Sequence, residues 1–286
     1  MGTEYLATGF ANVDGRDDTA AYKHCLALLD SLPYFREYKQ RSYERLCLSA
    51  GLSVLEVGCG IGDDAFRMAS RVGPNGLVVG VDASSRMIEE AIGRTPANMR
   101  VAFARADARN LPFKEKSFSR CRIDRTLQHI ESPHLVIREM ARVLKPGGLL
   151  LAYDNDWGTF SLNSGNEAAT KIVKTEWEES FTNRWIGRYL KRYFLEAGLH
   201  NVEIEPSVSV LTDFELADRV YNLRQTVKRA VEADRLLPGI ADQWISDMQA
   251  LSRAGGFLCT LTAFMVVGMK PDSRDFKGVS GIGTAM

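Results

Sequence analysis

The chain of 286 residues carries 36 Lys and Arg against 36 Asp and Glu, so it offers nucleic acid or an anionic membrane no electrostatic footprint. Apolar residues at 45% and charged residues at 25% place it among globular chains that bury a sizeable core, outside the disordered and fibrous classes. Its five cysteines, at positions 25, 47, 59, 121 and 259, are odd in number and form no CxxC pair, which excludes a disulfide framework or zinc knuckle and fits a reducing, cytoplasmic location.

The elements follow in chain order. Residues 17–50 read as a helical extension, with 1–50 as a unit preceding the main domain. Residues 53–57 (SVLEV) form a strand that ends on a glycine cluster, and 63–72 read as a helix. The unit repeats with 77–81 (LVVGV) as strand, 85–93 as a helix opened by Ser84 or Ser85, and 101–105 (VAFAR) as strand. Strands alternating with helices imply a parallel, right-handed crossover sheet. After a strand at 118–124, a helix from about His134 presents Val136, Met140, Val143 and Leu144 on one face, and Lys145-Pro146-Gly147-Gly148 stops it. Residues 148–153 (GLLLAY) are the fifth strand. Helical spacing then runs from Trp185 to Ala197, 201–211 alternates as a strand, and a last strand covers about 258–269. That last run is too short and too interrupted for a membrane span of about 20 residues. Between the last two strands, an insertion at about 213–255 reads as two polar helices broken near Leu237-Pro238-Gly239. This insertion and the N-terminal extension are expected to sit as lids over the carboxyl edge of the sheet, where open α/β sheets bind ligands. The main domain is 51–270, and 271–286 is expected to be a disordered tail.

Chemistry concentrates at Glu56-Val57-Gly58-Cys59-Gly60-Ile61-Gly62-Asp63-Asp64. Three glycines after a strand permit a tight turn and close approach of a ligand to the backbone, with a helix N-terminus behind. The pattern is G-x-G-x-G, and Asp63 stands where the dinucleotide fingerprint has its third glycine. Asp63 and Asp64 would repel a pyrophosphate and suit a ligand with positive charge. Asp82, ending the second strand, is placed to take both hydroxyls of a ribose. Asp107 and Ala108, just past the third strand, suit the exocyclic amine and ring of adenine. Together they outline an adenosine without phosphates. Cys59 has no paired His nearby in sequence and reads as a small residue filling the bend, not a nucleophile.

VLEVGCGIGDD (54–64), VVGVDAS (78–84), RADARNLPF (105–113) and EMARVLKPGG (139–148) together resemble the ordered motifs of class I S-adenosylmethionine-dependent methyltransferases, most closely the branch around the ubiquinone and menaquinone methyltransferases. The resemblance covers about 50–155. It implies a Rossmann-like doubly wound seven-stranded sheet with the last strand antiparallel, and S-adenosylmethionine as cofactor with S-adenosylhomocysteine as product. It implies that Gly58, Gly60 and Gly62 wrap the methionine part near Glu56, that Asp82 binds the ribose and Asp107 the adenine, and that Cys59, Ala83, Ala108 and Met87 line the nucleoside. Arg125 is expected to touch the cofactor through its backbone or to steady Asp124.

A sulfonium methyl is already activated, so the protein needs mainly to align a nucleophile and exclude water. His129, after the fourth strand, is the candidate base or orienting group, against the plain alternative of a helix-cap or core histidine; Asp154 is the second candidate. Tyr22, Gln128, Asp156 and Trp157 are expected in the acceptor pocket with them. Asp124, Asp154 and Asn155 are similar to the oxygen ligands of catechol-type O-methyltransferases, but three oxygen ligands are common and no metal is expected. The reading is methyl transfer to O, C or N of a small apolar, aromatic or prenylated metabolite in a neutral pocket, with no nucleic-acid partner. Its rivals are an NAD(P)-dependent oxidoreductase and a noncatalytic nucleoside-binding protein, and the helical N-terminus is also a candidate homo-oligomer contact.

Overall fold

The computed structural model describes residues 10, 13–15 and 19–272; the expected disordered tail lies, from 273 on, outside the described residues. Helices α1 (Thr19–Ser31) and α2 (Pro33–Arg45) lead into β1 (Ser53–Val57), α3 (Asp63–Val72), β2 (Leu77–Asp82), α4 (Ser85–Gly93), β3 (Val101–Arg105) and β4 (Phe118–Asp124). A 3-10 turn (Leu127–His129) precedes α5 (Pro133–Val143), β5 (Leu144–Leu162), α6 (Glu167–Glu178), α7 (Ile186–Glu196) and β6 (His200–Leu211). Helices α8 (Phe214–Tyr221), α9 (Leu223–Glu232) and α10 (Pro238–Arg253) then lead to β7 (Cys259–Met269).

The strand order is β3-β2-β1-β4-β5-β7-β6. β1 pairs in parallel with β2 and β4, β2 with β3, and β4 with β5, while β7 runs antiparallel to both β5 and β6. This is the seven-stranded doubly wound plan with the last strand reversed. Alternation of side chains along each strand serves two layers of helix. Val54 and Val78 meet Ala65, Met68 and Val72 of α3, and on the same side Leu151, Tyr153 and Met265 meet Leu29, Phe35 and Tyr38 of α1 and α2. The intervening residues Leu55, Leu150, Ala152 and Val266 face α5 and α7. Helices α1 and α2 of the N-terminal extension therefore pack on this chain's own sheet.

Three elements differ from expectation. β5 is 19 residues long, because 145–148 pairs with the end of β7 instead of turning free: Gly147 N–H donates to Lys270 O at 2.8 Å and Lys270 N–H to Gly148 O at 2.9 Å. The Lys270 ammonium also caps the C-terminal carbonyls of α5 at Ala141 and Arg142. Helix α6 was not expected; Asn166 caps it by accepting from Ala169 N–H at 3.0 Å, and Ala169, Val173 and Trp177 form its buried face. The insertion holds three helices, since Asn222, in the left-handed region at φ 51, separates α8 from α9. With the far half of β5, helices α6 and α8–α10 enclose a second aromatic core around Phe160, Trp177, Phe214 and Trp244. Among the described residues no helix is long and apolar enough to cross a membrane.

Gly62 precedes α3 at φ 86, and a Cβ there would lie 2.6 Å from Phe103 Cζ. Gly62→Ala is expected to destabilise the protein by about 1–3 kcal/mol, from the left-handed backbone and the overpacking together. A urea unfolding midpoint that stays at the wild-type value would contradict this.

Candidate active site

A cavity of about 970 Å³ opens where β1, β2, β3 and β4 end and beside Tyr153–Trp157 in the middle of β5, the position at which doubly wound sheets place ligands. Its first half is the glycine loop. Gly58 and Gly60 have φ of 71 and 52, and the Gly58 and Cys59 N–H groups donate to Val81 O at 2.8 and 3.0 Å, binding the loop to β2. A Cβ on Gly58 would collide with the Thr126 side chain, whereas one on Gly60 would meet only Leu26 Cδ1 at 3.9 Å, so Gly60 is where the backbone is open. Asp82 fixes the loop: its Oδ2 accepts from Gly60 N–H and its Oδ1 from Ser84 N–H, each at 2.9 Å. Burial pushes its carboxyl up, and these N–H donors oppose the shift.

Cys59, Ala83, Met87, Asp107 and Ala108 also line the cavity. The Asp107 carboxylate is held by the Arg109 side chain, Nη2 at 2.8 Å, and that bond lowers its pKa. Gly62 is the exception among the expected donor residues, since it does not line the cavity; its bare α-carbon instead makes room for Phe103.

Beneath the loop lies Arg122, fully buried on β4 in register with Glu56 on β1. Its Nη1 donates to Glu56 Oε1 at 2.5 Å and Asp64 Oδ2 at 3.3 Å, its Nη2 to Asp124 Oδ2 at 2.9 Å, and its Nε to Ser42 Oγ at 3.0 Å. Burial alone would raise the Asp64 carboxyl, yet Lys39, Arg122 and the Tyr43 hydroxyl hold it well below the usual range. Asp63 pairs with Arg94 at 2.6 Å. Both carboxylates line the cavity while pairing with cations of this chain. Glu56 lines it as well, and its buried Oε2 has no hydrogen-bond partner.

The second half of the cavity is organised by Gln128. Its Oε1 accepts from Trp157 Nε1 at 2.9 Å and Asn155 Nδ2 at 3.2 Å, while its Nε2 donates to Arg125 O at 3.1 Å and lies 3.1 Å from His129 Nε2. His129, Gln128 and Trp157 line the cavity together with Tyr34, Phe35, Tyr153 and Tyr221 from α2, β5 and α8. Burial and then the charge of Arg125 lower the His129 pKa to about 4, so the imidazole is neutral at pH 7.

Three expected pocket residues are placed elsewhere. Asp156 does not line the cavity, because Arg188 grips both its oxygens at 2.6 Å. Tyr22 packs with Val13, Ile61 and Met87 behind the glycine loop. Asp154 is buried outside the cavity lining, its oxygens accepting from Asn155 N–H at 2.9 Å and Gln128 N–H at 3.2 Å. Arg122 and Tyr153, conversely, were missed; the alternation Arg122-x-Asp124 on a strand beside Glu56 was the available signal.

Burial raises the Asp154 carboxyl to about 8 against those two N–H donors. A raised acid favours the folded state while protonated, so its contribution is complete below the unfolded pKa and is lost as pH rises from about 4 through about 8. The stability of wild type relative to Asp154→Asn is thus expected to fall across that window, as urea titrations at stepped pH would show; a flat difference would refute it.

Residues 48–198 match the family model described as Methyltransferase domain. The chain is 34% identical over 272 residues to an uncharacterized 37.1 kDa protein in transposon TN4556 of Streptomyces fradiae, covering 92% of this chain and 76% of that one. It is 29% identical over 189 residues to the demethylmenaquinone methyltransferase of Staphylococcus aureus, covering 61% and 78%. Among solved structures, a candidate methyltransferase of Bacillus halodurans superposes with TM-score 0.59 at 20% identity, covering 82% of this chain and 99% of that one. The phosphoethanolamine N-methyltransferase 2 of Haemonchus contortus, in complex with S-adenosyl-L-methionine, does so with TM-score 0.59 at 18% identity, covering 95% and 61%. With more than half its length under that family model and the motif residues gathered at one cavity, the chain belongs to the class I S-adenosylmethionine-dependent methyltransferases.

Proposed function

We propose that the protein transfers the methyl group of S-adenosylmethionine to an O, C or N atom of a small metabolite with a flat apolar, aromatic or prenylated body. The observation that carries this is a single cavity whose two halves differ in chemistry. One half has an open glycine backbone at Gly60, the buried carboxylate of Glu56 and the half-buried carboxylate of Asp82; the other is walled by Tyr34, Phe35, Tyr153, Trp157 and Tyr221. At about 970 Å³ it lies at the upper end of ligand pockets, about 300–1,000 Å³, in keeping with two ligands side by side.

The residues present fit the cofactor. The unpartnered Glu56 Oε2 is a buried acceptor suited to the ammonium of a methionine moiety, and burial pushes this carboxyl up even with Arg122 on its other oxygen. Asp82 keeps lone pairs beyond its two backbone bonds for the hydroxyls of a ribose, and Met87 and Ala108 bound the space for a purine. When bound, S-adenosylmethionine supplies a sulfonium methyl already activated for displacement.

The chain's own part is orientation and exclusion of water. Gln128 ties His129, Trp157 and Asn155 into one surface, so the acceptor meets a wall whose members hold each other's rotamers. A neutral imidazole with a conjugate acid near 4 is a weak base at pH 7. We therefore read His129 as a group that orients the acceptor, and Asp154, which holds Gln128 through its backbone N–H, as a positioning residue.

Calorimetry with S-adenosylhomocysteine is expected to show binding that Asp82→Ala weakens by about tenfold or more, the scale of a lost charge-assisted hydrogen-bond pair. No binding by wild type, or no effect of the substitution, would remove the reading. His129→Ala should leave that affinity unchanged and lower kcat by about tenfold to a hundredfold. The wild-type rate should show no inflection near pH 6.5; an inflection there would restore His129 as a general base.

A further inference from the structure

Two arginines stand three residues apart at the end of β4, and they differ in how their donors are used. Arg122 is saturated by Glu56, Asp64, Asp124 and Ser42. Arg125 lines the cavity with a largely buried side chain, and among the described residues its guanidinium donates no hydrogen bond. Its nearest carboxylate oxygen, Asp124 Oδ1, is 3.7 Å from Nε, beyond hydrogen-bonding distance. Asp124 is already taken by Arg122 at 2.9 Å and by the Tyr38 hydroxyl at 3.2 Å. The other polar groups around the guanidinium are Tyr38, Tyr153 and the Cys25 thiol. Tyr153 shares its hydroxyl hydrogen bond with Tyr34 at 2.7 Å, and Tyr38 lies stacked on Tyr153 with centroids 3.9 Å apart. The fork therefore stands over the Phe35 ring, 5.0 Å from its centroid, with the Asp124 carboxylate as a counter-charge at 3.7 Å but with no hydrogen-bond acceptor of its own among the described residues.

The backbone supports the same conclusion. Arg125 has φ 47, a left-handed conformation that a long side chain rarely adopts, and its N–H is pinned to Tyr153 O at 2.7 Å. Strain of this kind persists where the surrounding structure requires a side chain at one place. A buried guanidinium without a hydrogen-bond acceptor is costly, and a planar bidentate oxyanion relieves that cost best. The aromatic side walls, meanwhile, leave space for a flat body.

We infer that the Arg125 guanidinium receives an anionic oxygen of the methyl acceptor, a carboxylate or a phenolate carried on a flat apolar skeleton, so that the acceptor is acidic and not neutral. The inference rests on the methyltransferase reading and narrows its substrate class. It moves Arg125 from the donor site, where its sequence position suggested a backbone role, to recognition of the acceptor.

The test uses the full chain saturated with S-adenosylhomocysteine and two matched probes, 1-naphthoate and the neutral 1-naphthamide. Wild type is expected to bind naphthoate about tenfold or more tightly than naphthamide, the scale of a charge-assisted pair, and Arg125→Met should bring the two within about twofold without changing affinity for S-adenosylhomocysteine. Arg125→Lys, which keeps the charge and loses the fork, should retain part of the preference and keeps the test open if the methionine variant does not fold. 4-Nitrophenol separates the two oxyanion sources: visible absorbance of its ionised form enhanced by wild type but not by Arg125→Met indicates a phenolate site, and no enhancement alongside the naphthoate preference indicates a carboxylate site. Equal binding of naphthoate and naphthamide to wild type, including no binding of either, would overturn the inference. So would a tenfold loss of S-adenosylhomocysteine affinity in Arg125→Met, which would return the residue to the donor. A wild-type chain that binds no S-adenosylhomocysteine is a different result, and it removes the functional reading and the inference together.

Discussion

A guanidinium enclosed in the middle of a sheet must be answered on every side, and the geometry of this protein is arranged around that requirement at Arg122. An uncompensated buried charge is among the largest penalties a fold can carry. Here three donor nitrogens reach four elements: Glu56 lies near the end of β1, Asp64 in the first turn of α3, Asp124 at the end of β4, and Ser42 on α2. The glycine loop lies between two of these anchors, and the N-terminal extension is tied to it by a third. The position of the loop relative to the cavity is thus set by electrostatics beneath it, before any ligand contact.

The two halves of the cavity are held by different kinds of interaction. Backbone N–H groups and a carboxylate fix the glycine-loop side, where Asp82 joins the loop to the start of α4. Side-chain amides and rings fix the aromatic side, where Gln128 bridges the turn after β4 to Asn155 and Trp157 on β5, and Trp157 stacks on Phe181 with centroids 4.2 Å apart. Loop backbone suits a ligand that never varies, because substitutions cannot easily change it. A wall of side chains suits a ligand that distinguishes one relative from another.

Much of this was legible in the sequence, for identifiable reasons. The βαβ frame and the glycine loop are local: each is a strand, a turn and a helix whose residues are adjacent in the chain, so periodicity and glycine spacing reveal them. Helix α6, with its cap at Asn166 and its buried stripe ending at Trp177, was also written locally, though no turn glycine follows it to mark its end. What was hidden depends on long-range pairing. That Arg188 would claim Asp156, that Arg94 and Lys39 would claim Asp63 and Asp64, and that Arg122 would lie opposite Glu56 all require knowing which strands and helices are neighbours. An acidic residue at a strand end looks the same in sequence whether its partner is a ligand or an arginine from a distant helix.

The length of β5 has a consequence for how this molecule comes apart. Its 19 residues include two places where the register on its neighbours shifts, between Leu144 and Leu149 on β4 and between Asp156 and Ser161 on β7. Its first half pairs with β4 in the main sheet, and its second half carries Trp157, Phe160 and Leu162 into the aromatic core of the helical insertion. One segment is therefore a structural member of both cores, with its register on β7 shifting between Asp156 and Ser161. Releasing the helical cap strips one face from a strand that the sheet still needs, so loss of the cap and loss of the sheet should be a single cooperative event.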